Sequence, residues 1–521
     1  MQEIFDNKKM RLNILIGGKA GQGINKVSEI VSSILVKQGY FTFNYRDYQS
    51  LIRGGHNFNV LSVSDFRVGS IESKIDIIVA MDEKTPELHK KEMKKDCVVI
   101  SGFVDFGRNQ NIALAGALMK VLGIEKEILV SRIREEFNNP ESISASEKGF
   151  ESQKEKFKLK KLNNKIFTMT GNSGVVQGAV NSGINLYLSY PMTPATGVMH
   201  ELASNQIKNK MMVFQPESEI AVVNAGLGAS FTGAKVMIGT SGGGYDLMTE
   251  GLSLQGQSEI PLVVYLASRP GPGTGVPTYS MQDDLDVALR GGHGEFPRVV
   301  IAPGDPIECI EKTNEAFYLS EKFGVLSILL SDKHLAEGEF SSNRKPNKTL
   351  QVEVKRKVPG EGIIKASSYE HDEFGNTTES AEVTKKNAEA RLEKYSRIKK
   401  ECKKFQMIKI YGNPKAKNLV IGWGSTKTVI LDAIDAIDGS IKSPSRSNWK
   451  FLQVLYLKPL SDEIRNEISQ ASKVILVENN LTGQLGRLIR EKTGIKIPYR
   501  ILKYDSRPFF SDELREEMVK F

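Results

Sequence analysis

Apolar positions along the chain alternate between short strand-like runs and stretches with helical spacing. The first run, residues 12–16, leads through a glycine-rich turn into apolar positions of helical spacing, which predicts the opening of a βαβ unit. These positions are Ile24, Val27, Ile30, Val31, Ile34 and Leu35. Further strands are predicted at 57–63, 75–81 and 97–100. The pattern indicates a small α/β domain over residues 1–150, followed by a lysine-rich linker at 151–165.

Two more α/β regions follow. In residues 166–340, strand-like runs alternate with helical patterns, which predicts a parallel sheet covered on both faces. These runs lie at 236–239, 262–266, 298–301 and 326–330. Residues 341–405 form a charged connecting segment, with a charged helix predicted at 385–405. The last region, 406–521, predicts strands at 418–421, 451–456 and 473–477.

Composition fits this prediction of a multidomain α/β protein. A chain of 521 residues is too long to fold around one ordinary hydrophobic core, and its 40% apolar and 26% charged residues are typical of a globular protein. No apolar run approaches the roughly 18 residues of a membrane span, so no membrane association is expected. The first residues lack the apolar core of a secretory signal, so a cytoplasmic location is expected.

Cysteine content and charge exclude several kinds of site. Cys97, Cys309 and Cys402 lie far apart, which disfavours a disulfide framework or a zinc site. Three cysteines also cannot supply the four ligands of an iron–sulfur cluster. The net charge of +9 accompanies many acidic residues and indicates a solvated surface, although it is compatible with an acidic protein partner. Nucleic acid is not expected as a partner, because aromatic residues are not interleaved with the basic ones.

The first glycine turn, Gly18-x-x-Gly21-x-Gly23, leaves two interpretations open. It follows a strand and precedes a helix, so its backbone N–H groups could bind a phosphate, or it is a tight turn without a ligand. It does not follow the GxGxxG pattern, so a nucleotide-binding oxidoreductase built on this turn is a minor alternative. Downstream, Arg53-Gly54-Gly55-His56 presents an arginine beside two glycines, which would suit an anion.

Four unusual strings occur in order in the second region. They are Tyr190-Pro191-Met192-Thr193-Pro194-Ala195-Thr196, Glu217-Ser218-Glu219-Ile220-Ala221, Thr240-Ser241-Gly242-Gly243-Gly244 and Arg269-Pro270-Gly271-Pro272-Gly273-Thr274-Gly275-Val276-Pro277-Thr278. Any one of them alone could be a simple loop. Each lies beside the end of a predicted strand, where open α/β sheets bind ligands.

In this ordered series the chain resembles the pyrimidine-binding subunit of the 2-oxoacid:ferredoxin oxidoreductases. The resemblance extends through the strings Gln282-Asp283-Asp284-Leu285, Gly291-Gly292-His293-Gly294-Glu295, Ser368-Tyr369-Glu370-His371-Asp372-Glu373-Phe374-Gly375, Gly422-Trp423-Gly424-Ser425 and Glu478-Asn479-Asn480-Leu481-Thr482-Gly483-Gln484-Leu485. Residues 11–150 resemble the family's gamma domain, which is fused in front of the alpha part here. Departures from the family strings are small, with TSGGG, PAT and GPGTG in place of TSGPG, PST and GPSTG.

The resemblance implies a fold and an activity. The fold is a gamma-type α/β domain, a thiamine-diphosphate pyrimidine-binding parallel-sheet domain and a transketolase C-terminal-like α/β domain. The activity is reversible oxidative decarboxylation of a 2-oxoacid with coenzyme A, with electrons passing to ferredoxin. Gamma–alpha fusions of this layout resemble enzymes acting on 2-oxoglutarate, while pyruvate and branched-chain 2-oxoacids remain alternatives.

The resemblance also implies roles for individual residues. Glu219 would face the aminopyrimidine N1′ of the cofactor, with Glu217 as the alternative. Glu219 could instead merely begin a helix. Arg269 would bind the substrate carboxylate, and Thr193 would hydrogen-bond to substrate or cofactor. Further cofactor-binding candidates are Tyr190, Pro191, Ser241 and Gly242, and Arg53 is a further substrate-binding candidate. A second cation for a distal carboxylate could be Arg53, Lys235 or Arg290, and no spacing rule decides among them.

What the chain lacks predicts a partner. Its nearest match to the GDG string of the magnesium and diphosphate site is Gly304-Asp305-Pro306, whose proline cannot donate an N–H. Mg²⁺ and [4Fe-4S] clusters are therefore expected in a beta subunit, in a dimer of alpha–beta heterodimers, with no metal bound by this chain alone. A thiamine enzyme independent of ferredoxin is disfavoured by the GPGTGVPT and EHDEFG strings. A non-catalytic relative is disfavoured because Glu219, Arg269 and Thr193 are all present.

Overall fold

The computed structural model of the chain describes residues 10–49, 55–354, 356–438 and 447–521. No helix within these ranges is both long enough and apolar enough to cross a membrane.

The strands are, in chain order, β1 (Arg11–Lys19), β2 (Phe41–Asp47), β3 (His56–Ser64), β4 (Ile75–Ala80), β5 (Met93–Ile100), β6 (Phe167–Thr170), β7 (Leu186–Ser189), β8 (Met212–Phe214), β9 (Val236–Thr240), β10 (Leu262–Ser268), β11 (Arg298–Ile301), β12 (Leu326–Asp332), β13 (Glu339–Ser342), β14 (Ile408–Gly412), β15 (Asn418–Trp423), β16 (Trp449–Val454), β17 (Tyr456–Lys458), β18 (Lys473–Glu478) and β19 (Tyr499–Leu502).

The α-helices are, in chain order, α1 (Ile24–Lys37), α2 (Lys84–Leu88), α3 (Gln110–Leu122), α4 (Lys126–Phe137), α5 (Pro140–Glu151), α6 (Gly171–Asn181), α7 (Thr196–Ser204), α8 (Gln206–Asn209), α9 (Glu219–Phe231), α10 (Gly242–Ser258), α11 (Leu285–Arg290), α12 (Pro306–Phe323), α13 (Lys333–Glu337), α14 (Ala381–Cys402), α15 (Thr426–Asp438), α16 (Glu463–Gln470), α17 (Gln484–Thr493) and α18 (Ser511–Lys520). Short 3₁₀ helices lie at Lys90–Glu92 and Val104–Asn109.

Packing divides the chain into two compact units. The first consists of the described part of Met1–Met169 with Gly338–Arg344 and Phe510–Glu513. The second consists of the described parts of Thr170–Glu337, Lys345–Phe509 and Leu514–Phe521. Each unit has its own buried apolar cluster. The domain boundaries that the sequence suggested remain predictions, because one compact unit can hold more than one domain.

The sheet of the first unit has the order β5-β4-β1-β3-β2-β13-β6. Strand β1 runs parallel to β4 and antiparallel to β3, and β2 is antiparallel to β3. Strands β1 and β2 therefore run in the same direction and are joined by helix α1, as a βαβ unit predicts, but β3 is inserted between them. The hydrophobic pattern did not predict β2, because this strand buries the polar residues Thr42 and Asn44.

The second unit contains the parallel sheet that the sequence predicts, in the order β17-β11-β12-β10-β9-β7-β8. The pairs β11–β12, β12–β10, β10–β9, β9–β7 and β7–β8 are all parallel. Strand β17 is the exception, since it pairs antiparallel with β11. Strands β7 and β8, of four and three residues, were not among the strands that the sequence predicts.

A third sheet, β14-β16-β15-β18-β19, belongs to the same unit. It is parallel except for β14, which pairs antiparallel with β16. The single strand predicted at 451–456 is divided in the structure. Its first part lies in β16 of this sheet, and β17 continues the chain into the second sheet.

A buried ion cluster joins the start of helix α12 to the first turn of helix α15. The Nζ of Lys427, which is 1% exposed, lies 2.5 Å from Asp305 Oδ2 and also contacts Glu308 Oε1. Glu308 Oε2 accepts hydrogen bonds from the Gly304 N–H at 2.8 Å and from Gln453 Nε2 at 2.7 Å. Since both acids are satisfied internally, this cluster is part of the scaffold, and Asp305 serves as the N-cap of α12.

Removal of the Lys427 charge is expected to destabilise the fold. In Lys427→Met, two buried carboxylates lose their cation, which typically costs about 3–5 kcal/mol of unfolding free energy. Thermal and urea unfolding measure the change. The matched control is Lys400→Met on exposed α14, and equal melting temperatures for the two variants would contradict the assignment.

Candidate functional site

The four unusual strings lie at the carboxyl ends of four neighbouring parallel strands. Strand β7 leads to Tyr190–Thr196, β9 leads to Ser241 and β10 leads to Arg269. Strand β8 leads through a short loop to Glu219. Because these strands are adjacent and parallel, their carboxyl ends share one edge of the sheet. This edge is where open α/β sheets bind ligands.

Glu219 is the first residue of α9 and is only 4% exposed. The N-cap is Ser218, whose hydroxyl accepts a hydrogen bond from the Ala221 N–H at 3.3 Å. Within the described residues, Glu219 Oε1 is buried and has no hydrogen-bond partner. A carboxylate at the positive end of a helix is electrostatically favoured. A buried oxygen without a donor is nevertheless costly, so it is a candidate to accept a ligand's hydrogen bond.

Helix α10 begins with three glycines, and two of them permit close approach by a carboxylate. A Cβ on Gly244 would lie 2.7 Å from Glu219 Cγ and 2.8 Å from its Oε1. A Cβ on Gly242 would lie 2.7 Å from Asp284 Cγ. By contrast, a Cβ on Gly243 would have Gly273 O, 3.7 Å away, as its nearest neighbour. Glu219 and Asp284 therefore pack against the backbone at the start of one helix.

Arg269 and Thr193 meet across the loops that follow β10 and β7. The guanidinium Nη1 of Arg269 donates to the Thr193 carbonyl at 3.2 Å. Among the residues that the structure describes, no carboxylate lies within ion-pair distance of Arg269, so its remaining donors are available. Burial lowers the pKa of Arg269, and the charges of Asp284 and Glu219 oppose this shift. Such a half-buried guanidinium suits bidentate binding of a carboxylate.

The other predicted residues are placed less centrally or fall outside the site. Tyr190 and Pro191 follow β7 and are exposed, whereas Ser241 is fully buried and its hydroxyl has no partner in the described ranges. Lys235 precedes β9, at the opposite end of that strand from Ser241. Arg290 forms ion pairs with Asp286 and Glu491. Arg53 lies outside the described residues.

Asp283 and Asp284, to which the sequence assigned no role, also belong to this site. Asp284 Oδ2 accepts a hydrogen bond from the Ser268 hydroxyl at 2.7 Å, and Asp283 Oδ2 accepts one from the Gly271 N–H at 3.1 Å. Burial raises the pKa of Asp284 to about 6, while the bond from Ser268 opposes the shift. The available signal was a pair of acids shortly after a glycine-rich loop, but no residue spacing indicates which backbone such acids contact.

The Gln22 side chain fills the first glycine turn. Gln22 Oε1 accepts the Lys19 N–H at 2.7 Å, and Gln22 Nε2 donates to the Met81 carbonyl at 3.3 Å. This amide occupies the turn, which favours the interpretation without a phosphate.

The string Arg53-Gly54-Gly55-His56 ends at a residue with a partner of its own. His56 Nε2 lies 2.8 Å from His89 Nε2 in the same unit.

The site edge suits a polar heterocycle such as the aminopyrimidine of thiamine diphosphate. Glu219 Oε1 offers an acceptor and Ser241 Oγ offers a hydroxyl, and both are buried without partners in the described part of the chain. Gly243, in the first turn of α10, is exposed and adds no side chain at the helix start. Ligand binding there would satisfy polar atoms that the protein leaves unpaired.

Comparison with known proteins gives matches along most of the chain. Residues 177–406 match the family model described as "Pyruvate flavodoxin/ferredoxin oxidoreductase, thiamine diP-bdg". Residues 13–103 match the model described as "Pyruvate ferredoxin/flavodoxin oxidoreductase".

Relatives and a solved structure match as well. The chain is 27% identical to the 2-oxoacid:ferredoxin oxidoreductase subunit alpha of Saccharolobus solfataricus, over 97% of both chains. It is 38% identical to the 2-oxoglutarate synthase subunit KorA of Archaeoglobus fulgidus, over 34% of this chain and 55% of that one. Its fold is similar to that of the 2-oxoglutarate:ferredoxin oxidoreductase from Magnetococcus marinus, with a TM-score of 0.87, 24% identity and coverage of 98% and 100%.

Alanine at two neighbouring glycines is expected to change stability in opposite directions. Gly243→Ala adds a methyl group whose nearest neighbour, Gly273 O, is at an ordinary contact distance of 3.7 Å, and it should stabilise α10 by about 0.5–1 kcal/mol. Gly244→Ala places a methyl group against Thr240 Oγ1 and Glu219, and such overpacking typically costs about 1–3 kcal/mol. Thermal unfolding of both variants checks the difference. A Gly244→Ala protein as stable as Gly243→Ala would show that Glu219 is not packed against the helix start.

Proposed function

The chain belongs to the 2-oxoacid:ferredoxin oxidoreductase family as an alpha subunit, and on this premise we propose that its substrate is 2-oxoglutarate. With coenzyme A, the acid would yield succinyl-CoA, carbon dioxide and a proton, and two electrons would reduce two ferredoxin molecules. The reaction would be reversible. The observation that carries the proposed chemistry is that two groups lie at the same edge of the sheet: Glu219, which has an unpaired buried oxygen, and Arg269, which has no ion-pair partner in the described residues.

The cofactor of this reaction is thiamine diphosphate, for which residues 177–406 match a binding-domain model. When bound, thiamine diphosphate would supply a nucleophilic carbon for the keto group and a positively charged ring that can take up the electron pair left behind as carbon dioxide departs. We propose that Glu219 holds a proton at the aminopyrimidine N1′, as a buried general acid–base residue. Ser241 and Gly242 would line the pyrimidine pocket, with Tyr190 and Pro191 at its exposed rim.

Substrate binding would fall to the neighbouring loop. Arg269 would bind the carboxylate next to the keto group through two charge-assisted hydrogen bonds. The Thr193 carbonyl already accepts one N–H of this guanidinium and so orients it, and the Thr193 hydroxyl would bind substrate or cofactor. Arg53 remains a proposed second substrate cation.

The preference for 2-oxoglutarate among 2-oxoacids rests on relatives. A relative named for 2-oxoglutarate is 38% identical over its matched part, while relatives matching over nearly the full length carry only the broader name. Pyruvate and branched-chain 2-oxoacids are therefore the alternatives that an assay must separate.

The proposed location is the cytoplasm.

The proposed partner is a beta subunit. It would supply Mg²⁺, the diphosphate site and [4Fe-4S] clusters, because Asp305 in the nearest GDG-like string is an N-cap paired with Lys427. A dimer of alpha–beta heterodimers is the proposed assembly, and ferredoxin is the proposed electron acceptor.

The function is tested with the chain co-produced anaerobically with its beta subunit. Reduction of ferredoxin or a viologen dye is measured with coenzyme A and 2-oxoglutarate, pyruvate or a branched 2-oxoacid. Coenzyme-A-dependent reduction with the highest kcat/KM for 2-oxoglutarate is expected. A complex that holds thiamine diphosphate and iron but reduces no acceptor with any acid would reject the function, and preference for another acid would reject only the substrate.

In the same assay Glu219→Gln is expected to lower kcat by roughly 100-fold or more, the usual contribution of a general acid–base group. Glutamine keeps the size of the side chain but cannot exchange the proton. The matched control is Glu217→Gln, two residues earlier and exposed, which should retain kcat within about threefold. If Glu217→Gln were the inactive variant, the acid–base role would move to Glu217.

A further inference from the structure

The residues on either side of Arg269 are hydrogen-bonded to acids, whereas the Arg269 guanidinium itself is not. Its guanidinium makes one hydrogen bond, to the Thr193 carbonyl, among the described residues. The residue before it, Ser268, donates its hydroxyl to Asp284 at 2.7 Å. Two residues after it, the Gly271 N–H donates to Asp283 at 3.1 Å. Two adjacent acids therefore fix the chain on both sides of the arginine without pairing with it.

Asp284 does not cap helix α11 with its side chain, although it occupies the N-cap position. It is the N-cap residue of α11, where an aspartate usually accepts an N–H of the first helical turn. Its side chain makes no such bond. Instead, Gln484 Oε1 accepts the Asp286 N–H of this turn at 3.2 Å, and Gln484 Nε2 donates to the Asp283 carbonyl at 2.8 Å. A residue distant in sequence thus caps the helix and leaves the Asp284 carboxylate for Ser268.

The segment that carries both acids is itself anchored. Gln282 Nε2 donates to the Trp423 carbonyl at 2.9 Å, and Gln282 Oε1 accepts the Asn479 N–H at 2.9 Å. The Gln282 N–H in turn donates to the Asn479 carbonyl at 2.7 Å. Gln282 is fully buried, so these bonds are shielded from competing water. The acids therefore project from a fixed point toward the exposed glycine-rich loop Gly271–Val276.

We propose that Asp283 and Asp284 are positioning residues for Arg269, which hold the loop on either side of it so that its guanidinium meets the substrate carboxylate in a fixed orientation. This inference rests on the proposed function in that it takes Arg269 as the substrate-binding residue. A guanidinium that is not held in place must be ordered when the substrate binds, and this ordering costs binding free energy. Direct ion pairing would also have fixed the arginine, but it would have competed with the substrate for the same donors.

A purely structural role for these acids makes a different prediction about stability. The raised pKa of Asp284 means that its ionised form is disfavoured in the folded chain, so stability falls as pH rises from about 4 through about 6. Asp283 and Asp246 add to the shift, and Arg269 and the Ser268 hydroxyl oppose it. Asp284→Asn removes this unfavourable charge. We expect its melting temperature at pH 7–8 to equal or exceed that of the unchanged protein, whereas a structural acid would lower it when lost.

The experiment combines kinetics with hydrogen exchange on the alpha–beta complex. Asp283→Ala should raise the KM for the 2-oxoacid about tenfold or more, change kcat less than about threefold and leave the KM for coenzyme A unchanged. Asp283→Asn, which still presents an acceptor oxygen to Gly271, should recover much of the loss. Deuterium uptake by the peptide 269–278 should rise in Asp283→Ala. The matched control is Asp286→Ala, whose side chain is partly exposed and pairs with Arg290 and Arg487.

The outcomes separate the two proposals. If Asp283→Ala resembles Asp286→Ala in both loop exchange and substrate KM, positioning is rejected. A uniform fall of kcat, both affinities and melting temperature would reject it too, because that pattern indicates general unfolding. Hydrogen exchange needs no turnover, so it tests the hold on the loop even where the complex proves inactive with every 2-oxoacid.

Discussion

A helix start without side chains is the constraint on which the site depends. The first turn of α10 consists of glycines, and two carboxylates from other segments lie against its backbone where any Cβ would collide with them. Carboxylates are stabilised near the positive end of a helix, so the backbone of α10 offsets part of the cost of burying Glu219 and Asp284. Larger residues at Gly242 or Gly244 would push the acids outward and separate Glu219 from the strand ends that carry Thr193 and Arg269.

The hydrophobic pattern predicts those parts of the fold whose strands are apolar and long enough to show a period. It predicts β9, β10 and β12, which are mostly apolar, and misses β2, which buries threonine and asparagine, as well as β7 and β8. The division of 451–456 between two sheets was also missed, because strand pairing over long sequence distances leaves no mark on a local pattern.

The same limit applies to the site. Glu219, Thr193 and Arg269 were identified because they follow strand ends in strings that resemble a family, and their roles stay predictions. The contacts of Asp283 and Asp284 could not be inferred, since they depend on Gln484 capping a helix some 200 residues earlier in the chain. Gln282 and Trp423, quoted for the same resemblance, serve the scaffold, as does Glu478, which accepts the Trp423 indole N–H at 3.0 Å. The strings that resemble a family therefore contain both candidate site residues and residues that stabilise the fold.

Strand β17 bears on how the protein is made. Residues 456–458 complete one edge of the second sheet by pairing with β11, whose residues are synthesised some 150 positions earlier. Until the ribosome has translated that far, the N–H and C=O groups along this side of β11 have no strand to pair with. Exposed strand edges are the usual points at which nascent chains associate wrongly. Translation speed and chaperone access between β11 and β17 should therefore influence the yield of folded protein more than the same factors acting after β17.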